Sequence, residues 1–201
     1  MTQAPATEKG RATRERILQA AAELVAEKGT AGMSLDDVRA RTGASRSQLY
    51  HYFDDRDDLV RAVIDVTTDA VLDVQGDLLG RLDSWAGIDR WFDALIALQG
   101  ERQARGGCPI GSLAGQLAER DPQARSAIAA GLDRWETHIR DGLTRMKSRG
   151  KLHKDADPAA LATATMASLQ GGLLLTQVRR DPTQLRIALD AARTHLRLAA
   201  A

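Results

Sequence analysis

Between Arg39 and Phe53 the sequence carries three arginines, Arg39, Arg41 and Arg46, and no acidic residue, whereas the formal charge of the whole chain is only +1. Next to the last of these lie Ser47, Gln48, Tyr50 and His51. A guanidinium can bond O6 and N7 of guanine and a carboxamide N6 and N7 of adenine, while phenol and imidazole donors reach phosphate oxygens. Local positive charge also has phosphate as its natural counterion. Leu49 and Phe53, four residues apart, share one helical face and turn inward, leaving the polar members of the run outside. A purely solvated helix face would present the same side chains, so the elements around this run have to decide.

Other chemistries find little support. His51, His138, His153 and His195 are scattered, with no H-E-x-x-H pair, no Glu-x-x-His pair, no phosphate-binding loop and no G-x-S-x-G elbow. Neither an enzyme nor a metal site nor a cofactor is expected. The single cysteine, Cys108, cannot form an intramolecular disulfide.

Residues 34–53 read as two short helices with a glycine turn between them. Ser34 precedes Leu35 with Asp37 in the third helical place, Gly43 interrupts the pattern, and Ser45 opens the second helix with Gln48 three residues on. That is the geometry of a helix-turn-helix whose second helix enters a major groove. Before it, Ile17, Ala21, Leu24 and Val25 mark a first helix that starts near Arg11 and stops at Gly29. After it, Asp54 or Asp55 caps a fourth helix striped by Leu59, Val63, Val66, Ala70 and Val74 and running to about Leu82.

Three Asp-Pro pairs, at 121–122, 157–158 and 181–182, each announce a further helix. Residues 86–104 read as a helix around Trp91, Leu95 and Leu98, followed by a Gly-Gly-Cys-Pro break and a short helix at about 111–118. The sum is about nine helices and an all-α fold. With 43% hydrophobic and 27% charged residues the chain is an ordinary globular sequence, and its 3% aromatic content argues against a substantial sheet.

The opening MTQAPATEKGRATRER has no apolar run before its charges, so it does not read as a secretory signal, and a cytoplasmic location is expected. The uncharged stretch from Pro158 to Val178 is long enough to cross a bilayer. Its Ala, Thr, Ser, Gln and Gly content favours a helix buried among other helices instead, and no membrane association is expected.

The segment from Ala12 to Ile64 resembles the N-terminal domain of the TetR family of transcriptional regulators. The resemblance rests on Gly29, Ser34, Gly43, Ser45, Leu49, Tyr50, Tyr52, Phe53 and Arg56 in their family spacing. Two positions depart from it, Ser47 standing where glycine is usual and Arg56 where lysine is usual. The segment RGGCPIGSLAGQL is similar to the corresponding stretch of an LmrA/YxaF-like branch of that family.

The resemblance implies an arm at 1–8, a helix-turn-helix DNA-binding domain at 9–56 and a ligand-binding and dimerisation domain at 57–201. It implies a homodimeric repressor on a double-stranded, pseudo-palindromic DNA operator, released when a small apolar effector shifts the population toward a state in which the fourth helix has swung the reading helices out of operator spacing. Ser34, Ser45, Arg46, Ser47 and Gln48 would meet the groove, Tyr50 and His51 the backbone, and Arg56 a phosphate, with Lys9, Arg11 and Arg14 adding contacts from the arm.

Trp91, Leu95, Gln99 and Cys108 are candidates to line the effector pocket, joined by Trp135, His138, Met166 and Gln170; plain core packing is the alternative for most of them. Ala160, Ala164, Ser168 and Gly172 recur every four residues as a ridge of small side chains. With Leu185, Leu189, Ala192 and Leu196 they are expected to form the dimer interface. A thiol-redox regulator acting through Cys108 is the alternative to effector sensing.

Overall fold

The computed structural model describes residues 7–201; of the arm expected at 1–8, residues 1–6 lie outside the described residues. Ten helices are present among them: α1 (Glu8–Gly32), α2 (Leu35–Thr42), α3 (Arg46–Tyr52), α4 (Arg56–Asp73), α5 (Gly76–Leu79), α6 (Trp85–Glu101), α7 (Pro109–Leu117), α8 (Pro122–Ser148), α9 (Pro158–Arg179) and α10 (Thr183–Leu198). The all-α expectation holds. Among the described residues the one pairing of extended segments is an isolated antiparallel bridge between Leu152 and Ala200.

The punctuation of the sequence acts as its chemistry dictates. Asp121 accepts from the backbone N–H groups of Gln123 and Ala124 at 2.8 and 3.0 Å, which starts α8. Asp157 does the same for α9 through Ala159 and Ala160. At α10 the residue in the cap position is Pro182, and Asp181, one place earlier, accepts from the Thr183 N–H at 2.9 Å.

Two boundaries differ from expectation. The fourth helix stops at Asp73 instead of continuing to Leu82, and a single extra turn, α5, follows. Gln75 is buried at the break, where its Oε1 accepts from the indole N–H of Trp91 at 2.9 Å. Periodicity carries no information about such a polar inward turn. The first helix passes beyond Gly29, but Gly29 itself leaves helical geometry at φ +75°, so the expected stop survives as a kink with a last short turn after it.

The chain divides into two compact units, one comprising residues 1–71 and 112–131, the other 72–111 and 132–201. The first is built on Ile17, Ala21 and Leu24 of α1, Val38 of α2, Leu49 and Phe53, and Leu59, Val63 and Ile64 of α4, all buried. Residues 112–131 contribute Ala124 and Ile128 to it. In the second unit Trp91 and Phe92 of α6, Leu143 and Met146 of α8, and Leu169 and Leu173 of α9 are buried. There α10 folds back along α9, with Leu185, Leu189 and Leu196 buried.

Candidate nucleic-acid interface

Both short helices are capped at each end of their first turn. The Ser34 hydroxyl accepts from the Asp37 N–H at 3.1 Å, and Asp37 Oδ2 accepts from the Ser34 N–H at 3.1 Å and from its hydroxyl at 2.7 Å. The Ser34 hydroxyl bond is the leading reason that the Asp37 carboxyl is held down to about 2, helped by Lys28 at 3.0 Å. In α3 the Ser45 hydroxyl accepts from the Gln48 N–H at 3.2 Å, and Gln48 Oε1 accepts from the Ser45 N–H at 2.9 Å. Gly43 closes α2 in the left-handed conformation, making the tight turn that brings α3 across it.

Leu49 and Phe53 are 2% exposed, so the inward face of α3 is the expected one. Ser45, Arg46, Ser47, Gln48, Tyr50 and His51 are all exposed. Arg46 lies over the Tyr50 ring, with 5.6 Å from its guanidinium carbon to the ring centroid. Its charge therefore sits on the outer face of α3, held beside an aromatic ring.

The local +3 is smaller than the sequence suggests. Arg39 pairs with Asp36 at 2.8 Å, and Arg41 makes a two-pronged pair with Glu27 at 2.9 and 2.9 Å. Hydrogen bonding to Arg41 lowers the Glu27 carboxyl below its ordinary range and raises Arg41 in turn. Of the three arginines, Arg46 alone is found without a carboxylate among the described residues.

Arg56 is not placed as the resemblance implied. Its Nε donates to the Met33 carbonyl at 2.9 Å, its Nη2 to the Thr30 carbonyl and its Nη1 to Asp57 at 2.9 Å. It staples the end of α1 to the start of α4, with three of its five N–H donors given to protein. Of the arm residues, Lys9 and Arg11 are exposed and Arg14 lies over the Phe53 ring at 5.4 Å.

In the second unit Trp91, Leu95, Gln99, Cys108, Trp135 and Met166 are buried and Gln170 half-buried, whereas His138 is exposed. Gln99 Oε1 and Trp135 Nε1 are enclosed without a hydrogen-bond partner. Gln170 lies beside Cys108, whose thiol also accepts from the Gly111 N–H at 3.4 Å. Burial pushes the Cys108 thiol up, which keeps it protonated at neutral pH and works against thiolate chemistry.

The expected dimer ridge splits. Gly172, Leu185, Leu189, Ala192 and Leu196 are buried inside the unit, where a Cβ on Gly172 would meet Ala188 and Leu185 at 2.9 Å. They hold α9 to α10 and are not free for a partner. Ala160 is exposed, and Ala164 and Ser168 are half-buried. The outward stripe of α9 instead follows a seven-residue rhythm through Ala160, Ala164, Ala167, Gly171, Leu174 and Val178. On α10 the same rhythm runs through Ile187, Ala191, Thr194 and Leu198. Leu174, Val178, Ile187 and Leu198 are 59–81% exposed, which is a large apolar area for two adjacent helices.

Residues 17–63 match the family described as bacterial regulatory proteins of the tetR family, and residues 85–192 match the tetracyclin repressor-like C-terminal domain. The chain is 30% identical over 186 residues to an uncharacterized HTH-type transcriptional regulator in the lacX 3' region of Lactococcus lactis subsp. lactis, covering 92% of this chain and 93% of that protein. It is 31% identical over 184 residues to an uncharacterized HTH-type transcriptional regulator of Mycobacterium tuberculosis, covering 86% and 88%. Its fold is similar to the crystal structure of a TetR transcriptional regulator from Chloroflexus aurantiacus, with a TM-score of 0.79, 26% identity and coverage of 96% and 98%.

Proposed function

The chain belongs to the TetR family of bacterial transcriptional regulators, and from that premise we propose that it is a homodimeric, cytoplasmic repressor released from a pseudo-palindromic operator by a small neutral effector. The observation that carries the reading is the outer face of α3. Leu49 and Phe53 are committed to the interior, and the side chains left outside are those able to bond base edges and phosphate, led by an arginine free of carboxylates. Ser45 and Gln48 serve first as the cap that sets the angle of α3, and Arg46, Ser47, Tyr50 and His51 reach the duplex.

A second copy of the chain covers the α9–α10 stripe. Two antiparallel helices that each present apolar residues at seven-residue spacing are the half of a four-helix bundle, and a second identical pair completes it. Dimerisation gives two reading helices about 34–36 Å apart, the separation of successive major-groove faces.

The effector occupies the interior of the second unit. An enclosed polar atom without a partner costs about 1–3 kcal/mol, and those in this unit include an acceptor on Gln99 and a donor on Trp135. A neutral molecule with an apolar body, one donor and one acceptor satisfies both. Its binding favours a dimer whose reading helices no longer match the operator spacing. Selection of duplexes from a random-sequence pool by the full chain, followed by screening of small molecules for release of the selected duplex, tests both halves of the proposal.

A further inference from the structure

The backbone of Thr30 is held at both its N–H and its carbonyl. Its N–H donates to Gln116 Oε1 at 2.7 Å, and its carbonyl accepts from the Arg56 guanidinium, which also holds the Met33 carbonyl at 2.9 Å. Gln116 belongs to α7, 86 residues along the chain from Thr30, yet to the same compact unit. The carboxamide is itself held in place, since its Nε2 donates to the Ser112 carbonyl at 3.1 Å. At the grip Gly29 sits at φ +75°, a conformation side chains avoid, and a Cβ there would stand 3.0 Å from Gln116 Oε1.

A hydrogen-bond chain thus runs from α7 through the Thr30 peptide to the first residue of α4, across the kink that leads into α2. Thr30 is 6% exposed, so water does not take over its N–H when Gln116 is lost. The kink is soft because Gly29 has no side chain, and the cheapest relief for an unpaired N–H is rotation of that peptide. A change in the dihedrals of Gly29 and Thr30 alters the path of the chain that leads through Met33 and Ser34 into α2.

We infer that Gln116 is a positioning residue for sequence-specific DNA binding: by pinning the Thr30 peptide at the Gly29 kink it fixes the entry of the helix-turn-helix, without itself touching DNA. The inference rests on the DNA-binding reading above. Its signature is separable from plain destabilisation. Non-specific binding depends on the number of phosphates neutralised and is indifferent to the setting of α2 and α3, whereas base-specific binding needs both in register.

The test compares the full-length wild type with Gln116→Met, which keeps length and removes the acceptor, and Gln116→Glu, which keeps an acceptor oxygen. The probes are a duplex selected from a random pool by the wild-type chain and an unselected duplex of equal length. Gln116→Met is expected to bind the selected duplex about tenfold more weakly, the value of roughly one hydrogen bond, with the unselected duplex bound as by wild type. Gln116→Glu is expected to restore the selected binding. Equal affinity of Gln116→Met and wild type for the selected duplex overturns the inference, as does a parallel loss on both duplexes. Should Gln116→Met fail to fold, amide exchange of Thr30 in the wild type decides: slower exchange on adding the selected duplex supports the inference, and unchanged exchange overturns it. A wild-type chain that enriches no duplex overturns the functional proposal itself.

Discussion

Gln48 Oε1 lies 2.9 Å from the Ser45 backbone nitrogen, and the Ser45 hydroxyl oxygen 3.2 Å from the Gln48 backbone nitrogen, so the two residues close the first turn of α3 on each other. The carboxamide best suited to reading adenine thus shares its oxygen with the cap, while its N–H donors are left for a base. This divides two effects that a single alanine substitution would merge. Gln48→Glu retains the cap acceptor and removes the donors; it is expected to keep the thermal midpoint of the wild type while altering the preferred sequence in a duplex selection. Gln48→Ala loses both, with a stability cost of about 0.5–2 kcal/mol in denaturant unfolding.

The arginines of the first unit are expected to separate by the slope of affinity against salt. Arg46 is without a carboxylate and faces outward, so Arg46→Ala should reduce that slope by about one and weaken binding to the selected duplex more than to an unselected one, relaxing the preferred sequence. Arg56→Ala removes the staple between Thr30, Met33 and α4, leaving carbonyls unpaired. Its expected cost is about 1–3 kcal/mol of unfolding free energy with the salt slope unchanged.

Dimer assembly should follow exposure and not residue type. Leu174 is 59% exposed and Leu189 fully buried, although both are leucines on the same helical pair. In sedimentation, Leu174→Glu is expected to yield a folded monomer, whereas Leu189→Glu is expected to lose helical circular dichroism because a buried carboxylate has no partner there.

Acid should loosen the start of α2. The Asp37 carboxyl titrates at about 2 in the folded chain against 3.8 unperturbed, so the folded form holds it ionised more strongly than the unfolded form does. Its stabilising contribution is fully present above about pH 4 and is lost as the pH falls through about 2. Asp37→Asn should therefore be less stable than wild type in urea unfolding at pH 6, with the difference shrinking toward pH 2.

The parts legible in the sequence were those fixed by local chemistry. Ser34, Ser45 and the three Asp-Pro pairs act through hydrogen bonds that span two or three residues, and the Leu49–Phe53 face follows from one turn of helix. What escaped depends on partners distant in sequence. Arg41 reads as free charge until Glu27, 14 residues away, is seen to neutralise it. Arg56 reads as a phosphate ligand until the carbonyls of Thr30 and Met33 are found around it. The outward stripe of α9 was present in the spacing of Ala160, Ala167, Leu174 and Val178, but a four-residue ridge of small residues competed with it, and only the burial of Gly172 against α10 separates the two.

The central claim, that the exposed face of α3 reads duplex DNA, is tested most directly by selecting from a random duplex pool with wild-type chain and with Arg46→Ala in parallel. The account predicts that wild type enriches a twofold-symmetric sequence with half-site centres about 10–10.5 base pairs apart, or a multiple of that, and that Arg46→Ala does not. A pool that stays random with wild type, or one that both chains enrich to the same sequence, would contradict it.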